Sequence, residues 1–329
     1  MNIVITGGAG FLGRALTVQL LAMRSVDSRA VSRITLLDLV EPPVSLINDP
    51  RIQYVVGDLV ELLDSRSAIP PDTDLIFHLA AAVSSDCERD FDLGMRSNVQ
   101  TTQLLLQTCR ALSLLRTVPV RLVFASSVAV FGGSLPAIVQ DDTLPQPQSS
   151  YGIQKFICEQ LVADYTRKGF VDGRSSRLMT VSVRPGQPNG AASGFLSGIA
   201  REPLAGKRAI CPVSPDTQVA LSTAACSVEG LLAAASASPD IWGSRLAMNL
   251  PALTVSVSEM VAALVRVAGP AAADLIDWVP DSSIQRIVGS WPSRIAASRA
   301  NLMGLQAAAS FDDVIRAYLD SARSSAKSV

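Results

Sequence analysis

Three observations predict an α/β fold built on a doubly wound parallel sheet. Short β-branched runs alternate with amphipathic stretches from residue 2 to about residue 185, the runs are apolar throughout, and the first one ends in a glycine-rich turn. Strands buried on both faces read as continuous apolar runs, and the crossovers joining parallel strands are helices laid on either side of the sheet. In order, NIVIT, RITLLDL, QYVVGDL, DLIFHLA, RLVFASS and MTVSVRP are the expected strands. Residues 93 to 115 carry Met95, Val99, Leu106 and Cys109 at helical spacing, and residues 151 to 166 carry Ile153, Ile157, Leu161 and Tyr165. Both stretches are expected helices that bury one face. Residues 1–185 thus form the expected sheet domain. From 186 the rhythm gives way to PGQPNGAASGFLSG, then to Ala-rich helical segments and short strands such as RLAMNL. Residues 186–329 are expected to make mainly a smaller, less regular lobe, with some segments returning to the core. Open α/β sheets bind ligands beyond the carboxyl ends of their strands, so that lobe would close over a cleft.

Composition narrows the chemistry. The 329 residues are 48% hydrophobic, enough for a real core, and 28 Lys and Arg against 29 Asp and Glu leave a formal charge of -1. No field attracts a polyanion, so a nucleic-acid partner is disfavoured. Cysteines 87, 109, 158, 211 and 226 include no C-x-x-C pair, so neither a metal site nor a disulfide framework is expected. His78 is the only histidine, which argues against hydrolases that need imidazole as base or ligand. The start, MNIVITGGAGFLGRAL, lacks a basic n-region and reads as strand and turn. No apolar run reaches the about 18 residues a membrane span needs. A soluble, cytoplasmic protein without membrane partners is expected.

Gly7, Gly10 and Gly13 follow a strand and precede a helix, the setting a phosphate-binding turn requires. Gly7 and Gly10 let the backbone turn tightly and approach a pyrophosphate, Gly13 lets helix and sheet pack closely, and the helix start at Phe11 and Leu12 offers unpaired N–H groups. Asp38 ends the second strand, where a carboxylate can accept from an adenosine ribose; it would repel a 2′-phosphate, which points to NAD. Asp58 follows the third strand, where it can accept from an adenine amino group, with Leu59 against the ring. Tyr151 and Lys155 stand four apart at a helix start and project from one face. A phenol near its reference pKa of ~10 needs about 4 kcal/mol of phenolate stabilisation to reach ~7, and nearby positive charge supplies it. Ser126 and Ser127 end the strand RLVFASS, where a hydroxyl can hold a substrate alcohol or carbonyl.

GGAGFLG, Asp38, GDL at 57 to 59, HLAA at 78 to 81, Asn98, the serine pair and Y-G-x-x-K at 151 to 155 together resemble the extended short-chain dehydrogenases/reductases. The resemblance covers about 190 residues. It implies a Rossmann domain holding NAD, with Tyr151 as proton acceptor, Lys155 on the nicotinamide ribose, Ser127 on the reacting hydroxyl and Ser126 lining the nicotinamide pocket. Asn98 resembles the family's helix asparagine, and His78, Leu79 and Ala80 the turn beside the cofactor. Taken by itself, His78 in an apolar strand reads as a packed structural imidazole. Within the family, FDLGMRSN, YTRKGFVDGR, SVRPGQPNGAASGFLSGIAREPLAG and IVGSWP look similar to the members that oxidise the 2-hydroxyl of a four-carbon sugar acid. Gln154 stands where many members carry a small residue, and Gln187 where a lysine is expected. A sugar acid brings a carboxylate that needs an arginine fork or N–H groups. Arg184 and Arg201 are the candidates, beside Ser85, Asn189 and Ser193. The alternatives are a nucleotide-sugar 4-epimerase with retained NAD, and an NAD-sensing regulator without turnover. The helices at 93 to 115 and 151 to 166 are the pair that similar enzymes pack into a dimer, so a homodimer is expected.

Overall fold

In the computed structural model, which describes residues 1–65, 68–186 and 193–326, seven strands form one sheet. They are β1 (Asn2–Thr6), β2 (Arg33–Asp38), β3 (Ile52–Val56), β4 (Leu75–His78), β5 (Arg121–Ser127), β6 (Asp172–Leu178) and β7 (Met248–Asn249). Their spatial order is β3-β2-β1-β4-β5-β6-β7, parallel at every pairing. Chain direction across the sheet reverses between β1 and β4, and the crevice beyond the carboxyl ends at that point is where such sheets take ligands.

Alternation along the strands sets the layers. The main helices are α1 (Phe11–Met23), α2 (Thr101–Ser113), α3 (Ser150–Arg167), α4 (Phe195–Leu204), α5 (Ala224–Ser236), α6 (Val257–Ala268) and α7 (Phe311–Ala326). Ile3, Ile5, Leu36, Phe77 and Val123 pack with Leu16 and Leu20 of α1 and Val228 and Leu231 of α5. Val4, Leu37, Ile76, Leu122 and Phe124 point the other way, onto Leu105, Leu106 and Cys109 of α2 and Cys158 and Val162 of α3. Each such side chain contributes about 1.5–3 kcal/mol by leaving water, so both faces of the sheet are held.

The structure departs from the sequence pattern in the position of one strand and in the buried face of one helix. The sixth strand of the sheet is DGRSSRL, whereas MTVSVRP gives only Thr180–Val181 to a small sheet with Gln218–Ser222 and Leu253–Ser256. The β6 arginines are buried because other groups satisfy them: Arg174 donates to the carbonyls of Ala234 and Ala237 and pairs with Asp172, and Arg177 pairs with Glu159. In α3 the buried face is Gly152, Gln154, Lys155, Cys158, Glu159 and Val162, while Ile153 is 47% exposed and Ile157, Leu161 and Tyr165 are half-buried. The apolar spacing marks the flank of this helix, since its inner face carries polar groups with partners.

Past Leu178 the chain builds a second core from Leu196 and Ile199 of α4, Met260 and Leu264 of α6 and Val314 and Ile315 of α7. A two-stranded parallel sheet, Ala209–Cys211 with Ile276–Trp278, lies at its edge. β7 and α5 come from this stretch of chain yet complete the main sheet and cover one of its faces. Among the described residues no helix is long and apolar enough to cross a membrane, and no cluster of side chains could hold a metal ion.

Candidate active site

Gly7 leaves β1 with φ 72°, a left-handed conformation suited to glycine, and its N–H donates to the Leu37 carbonyl at 2.8 Å. A Cβ on Gly7 would lie 2.8 Å from the Ala80 nitrogen, and one on Gly13 would lie 2.1 Å from the Gly7 carbonyl oxygen. Turn, α1 and the segment after β4 are therefore packed backbone against backbone. α1 starts at Phe11 behind Gly10 with no side-chain cap, which leaves the N–H groups of its first turn and its positive dipole end facing the crevice. Asp38 sits beside the turn, its Oδ2 accepting from Ala9 N–H at 2.9 Å and its Oδ1 from Leu39 N–H at 2.7 Å. A cradle that admits no Cβ, an open helix start and a carboxylate at the next strand end fit a dinucleotide: pyrophosphate on the amides, ribose toward Asp38.

Asp58 caps the short helix Leu59–Asp64 through Val60 and Glu61 N–H, and its Oδ1 also receives Arg96 Nη2 at 2.9 Å. That oxygen is committed to the fold, and Leu59 opens the capped helix. His78 is 1% exposed; Nδ1 meets Thr6 Oγ1 at 2.7 Å and Nε2 meets Thr102 Oγ1 at 3.0 Å. Burial, with the Lys155 charge nearby, holds its pKa down to about 3, so it is the neutral packed imidazole that its apolar strand implies. Leu79 and Ala80 follow it and press on the Gly7 turn. Asn98 lies in a π-helical segment, Met95–Gln100, leading into α2; its Oδ1 accepts from Ala82 N–H at 2.9 Å.

Ser127, Tyr151 and Lys155 come together at the carboxyl edge of β5. The Tyr151 hydroxyl is hydrogen-bonded to Ser127, whose Oγ also accepts from Ala129 N–H at 3.1 Å. This meeting needs Gly152, where a Cβ would lie 2.2 Å from the Ala129 carbonyl; any side chain would push α3 off the strand end. Lys155 is buried, donates to the Ala125 carbonyl at 2.8 Å, and holds Nζ 5.7 Å from the centre of the Tyr151 ring. Burial holds the ammonium down to about 8. Burial also pushes the Tyr151 phenol up to about 12, against the pull of the Ser127 hydrogen bond and the Arg184 guanidinium. The acidified phenol expected from the Tyr–Lys spacing is thus not a property of the chain without its ligands.

Ser126 departs from its expected place beside a nicotinamide. It is 2% exposed and its hydroxyl goes to Glu159 Oε1 at 2.5 Å, because successive residues of a strand point to opposite faces. Glu159 also receives Arg177 Nε and Nη2, each at 2.9 Å. Tyr151, Lys155 and Glu159 stand at i, i+4 and i+8 of α3, a spacing that could have drawn attention to Glu159 in the sequence.

On the substrate side Arg184 lies close enough to feel the Tyr151 hydroxyl, and its Nη2 donates to Ser193 Oγ at 3.2 Å. Arg201 stands behind it, donating Nη1 to the Arg184 carbonyl at 2.8 Å and Nη2 to Glu202 at 2.6 Å. The two expected arginines therefore differ: the Arg184 charge is felt at the phenol, while Arg201 braces the Arg184 backbone. Ser85 is half-buried in the helix Ser84–Arg89, which docks on α3 through Glu88 accepting from Ser150 N–H at 2.6 Å. Asn189 and Gln187 lie outside the described residues.

Sheet order, glycine cradle and a hydroxyl–phenol–ammonium cluster define a dinucleotide-dependent enzyme of the short-chain dehydrogenase type. The profile of the NAD dependent epimerase/dehydratase family matches residues 3–219, and the chain belongs to that family. It is 50% identical over 98% of its length, and 99% of the relative's, to D-erythronate dehydrogenase of Cupriavidus necator. It is 42% identical to D-erythronate dehydrogenase of Haemophilus influenzae over 97% of this chain and 99% of the relative. Among solved structures, one described as the nucleoside-diphosphate-sugar epimerase from Agrobacterium tumefaciens superposes with a TM-score of 0.89 at 38% identity, covering 97% of this chain and 94% of the other.

Proposed function

We propose that the protein is an NAD-dependent dehydrogenase that oxidises the 2-hydroxyl of D-erythronate to 2-dehydro-D-erythronate. The observation that carries this reading is the 50% identity to a D-erythronate dehydrogenase across nearly the whole of both chains. Gly7, Gly10, Gly13 and the first-turn N–H groups at Phe11 and Leu12 would hold the pyrophosphate, Asp38 the adenosine ribose, Asp58 and Leu59 the adenine, and Lys155 the nicotinamide ribose. Bound there, NAD supplies the hydride acceptor. The chain's own part is to hold the alcohol and move its proton: Ser127 donates to or accepts from the alcohol oxygen, and the Tyr151 phenol oxygen takes the proton. Arg184 offers its guanidinium to the acid's carboxylate, with Ser193, Ser85 and Asn189 as further polar contacts and Arg201 as the brace. A homodimer built on α2 and α3, and residence in the cytoplasm, belong to the same reading.

The test is to mix protein, NAD and D-erythronate and follow NADH absorbance, beside a panel of four- to six-carbon sugar acids. NADH should accumulate with D-erythronate before the others. A 4-epimerase, the reading favoured by the solved structure from Agrobacterium tumefaciens, would give no net NADH and would interconvert a sugar nucleotide; that outcome replaces the proposal.

A further inference from the structure

Directly before Lys155, α3 buries a side-chain amide that the reaction above does not use. Gln154 is 1% exposed, and its Oε1 accepts from Asn98 Nδ2 at 2.7 Å. The orientation of both amides follows from one backbone group. Ala82 N–H can only donate, so Asn98 must turn Oδ1 toward it and Nδ2 toward α3, and Gln154 must then present its oxygen. The π-helical segment around Asn98 is tied down on its other side as well, its carbonyl accepting from Thr102 Oγ1 at 2.6 Å and Cys158 Sγ at 3.4 Å. Room for the glutamine comes from Gly94, where a Cβ would lie 2.5 Å from Gln154 Nε2 and 3.0 Å from Oε1. Asn98 in turn anchors Ala82, two residues beyond the Ala80 backbone that packs against Gly7. A hydrogen bond between two side-chain amides, beside the Cys158 contact, therefore joins the helix of Tyr151 and Lys155 to the segment that walls the glycine cradle.

We infer that Gln154 is a positioning residue: by accepting from Asn98 it fixes the spacing between the dinucleotide cradle and the Tyr151–Lys155 helix. Gly94 is its required complement, so the two positions act as a lock and its slot. The inference rests on the dehydrogenase reading only for its turnover arm, since dinucleotide binding reports on it independently.

Gln154→Met keeps the length and removes the acceptor, Gln154→Glu keeps the acceptor, and Gly94→Ala drives a methyl into the amide. Losing one neutral hydrogen bond corresponds to about three- to tenfold in binding. Gln154→Met and Gly94→Ala should each weaken NADH binding, read by fluorescence titration, by about that factor and displace the pH profile of kcat. Gln154→Glu should hold NADH within about twofold of the parent, and Gly94→Ala should cost clearly less on top of Gln154→Ser than it does in the parent, because the methyl then meets only the Cys87 sulfur, at 3.1 Å. Additive losses in that cycle would overturn the lock and slot. NADH affinity and pH profile unchanged in a folded Gln154→Met would overturn the positioning role. Should the parent protein bind NADH but turn over no sugar acid, the dehydrogenase reading fails while the binding arm still decides this one.

Discussion

Burial acts on Tyr151 and Lys155 in opposite directions, holding the phenol up to about 12 and the ammonium down to about 8. Both effects disfavour charge, and at neutral pH the phenol without ligands keeps its proton. Bringing it from about 12 to ~7 takes about 7 kcal/mol of phenolate stabilisation, more than the roughly 4 kcal/mol that a reference tyrosine needs. Arg184 pulls in the required direction, and a positive ring bound in the cleft would do so too. The base form is the phenolate, so activity should rise with pH. Lys155→Met removes a cation, leaves the phenolate less stabilised, and should move the rising limb to higher pH while NADH binding weakens. Tyr151→Phe should bind NADH like the parent and lose about 10²–10⁴ of kcat, the usual weight of a positioned proton acceptor. NADH titrations beside pH–rate profiles check both variants; near-parental turnover from Tyr151→Phe would remove the phenol from its role.

At the scale of elements, Glu159 and Arg177 tie α3 to β6, with Ser126 of β5 on the same carboxylate. Removing one member of a buried ion pair costs about 3–5 kcal/mol because the other charge is stranded. Glu159→Leu should therefore lower Tm by about 4–7 °C in a molecule of this size, and adding Arg177→Met should recover part of the loss. Thermal unfolding followed by circular dichroism measures both, and equal Tm values for the single and double variants would argue against a stranded arginine. The same elements explain what the sequence can and cannot disclose. NIVIT, RITLLD, LIFH and RLVFASS are legible as strands because both their faces meet apolar helices, so the signal is local. DGRSSRL is not legible, since Arg174 and Arg177 are buried only by partners 60 residues onward at Ala234 and 18 residues back at Glu159. The glycine cradle and the Tyr–Lys pair are written in fixed short spacings. The commitment of Ser126 to Glu159, the bracing part of Arg201 and the Gln154–Asn98 bond depend on which face of a strand or helix meets which neighbour, and no window of sequence carries that.

At the scale of the whole molecule, the flank of α3 that carries Ile153, 47% exposed, lies open beside Phe91 and Leu93 of the segment leading to α2, which are 60% and 40% exposed. These are the surfaces that a dimer through α2 and α3 would cover. Light scattering should give twice the 34.7 kDa chain mass for the parent protein, and Ile153→Glu should shift it to a single chain by placing a charge in an apolar contact. A monomeric parent would reject the dimer.

β7 and α5 are drawn from the later half of the chain and finish the main sheet and its cover. The lobe proposed to select the substrate is consequently no detachable cartridge. Cut away, it would strip the lateral edge of β6 and uncover Val123 on β5, so a chimera made by exchanging everything after the cofactor half would inherit a damaged sheet along with its new preference. If Arg184 holds the substrate as proposed, replacing side chains around it would reach new substrates more readily than trading lobes.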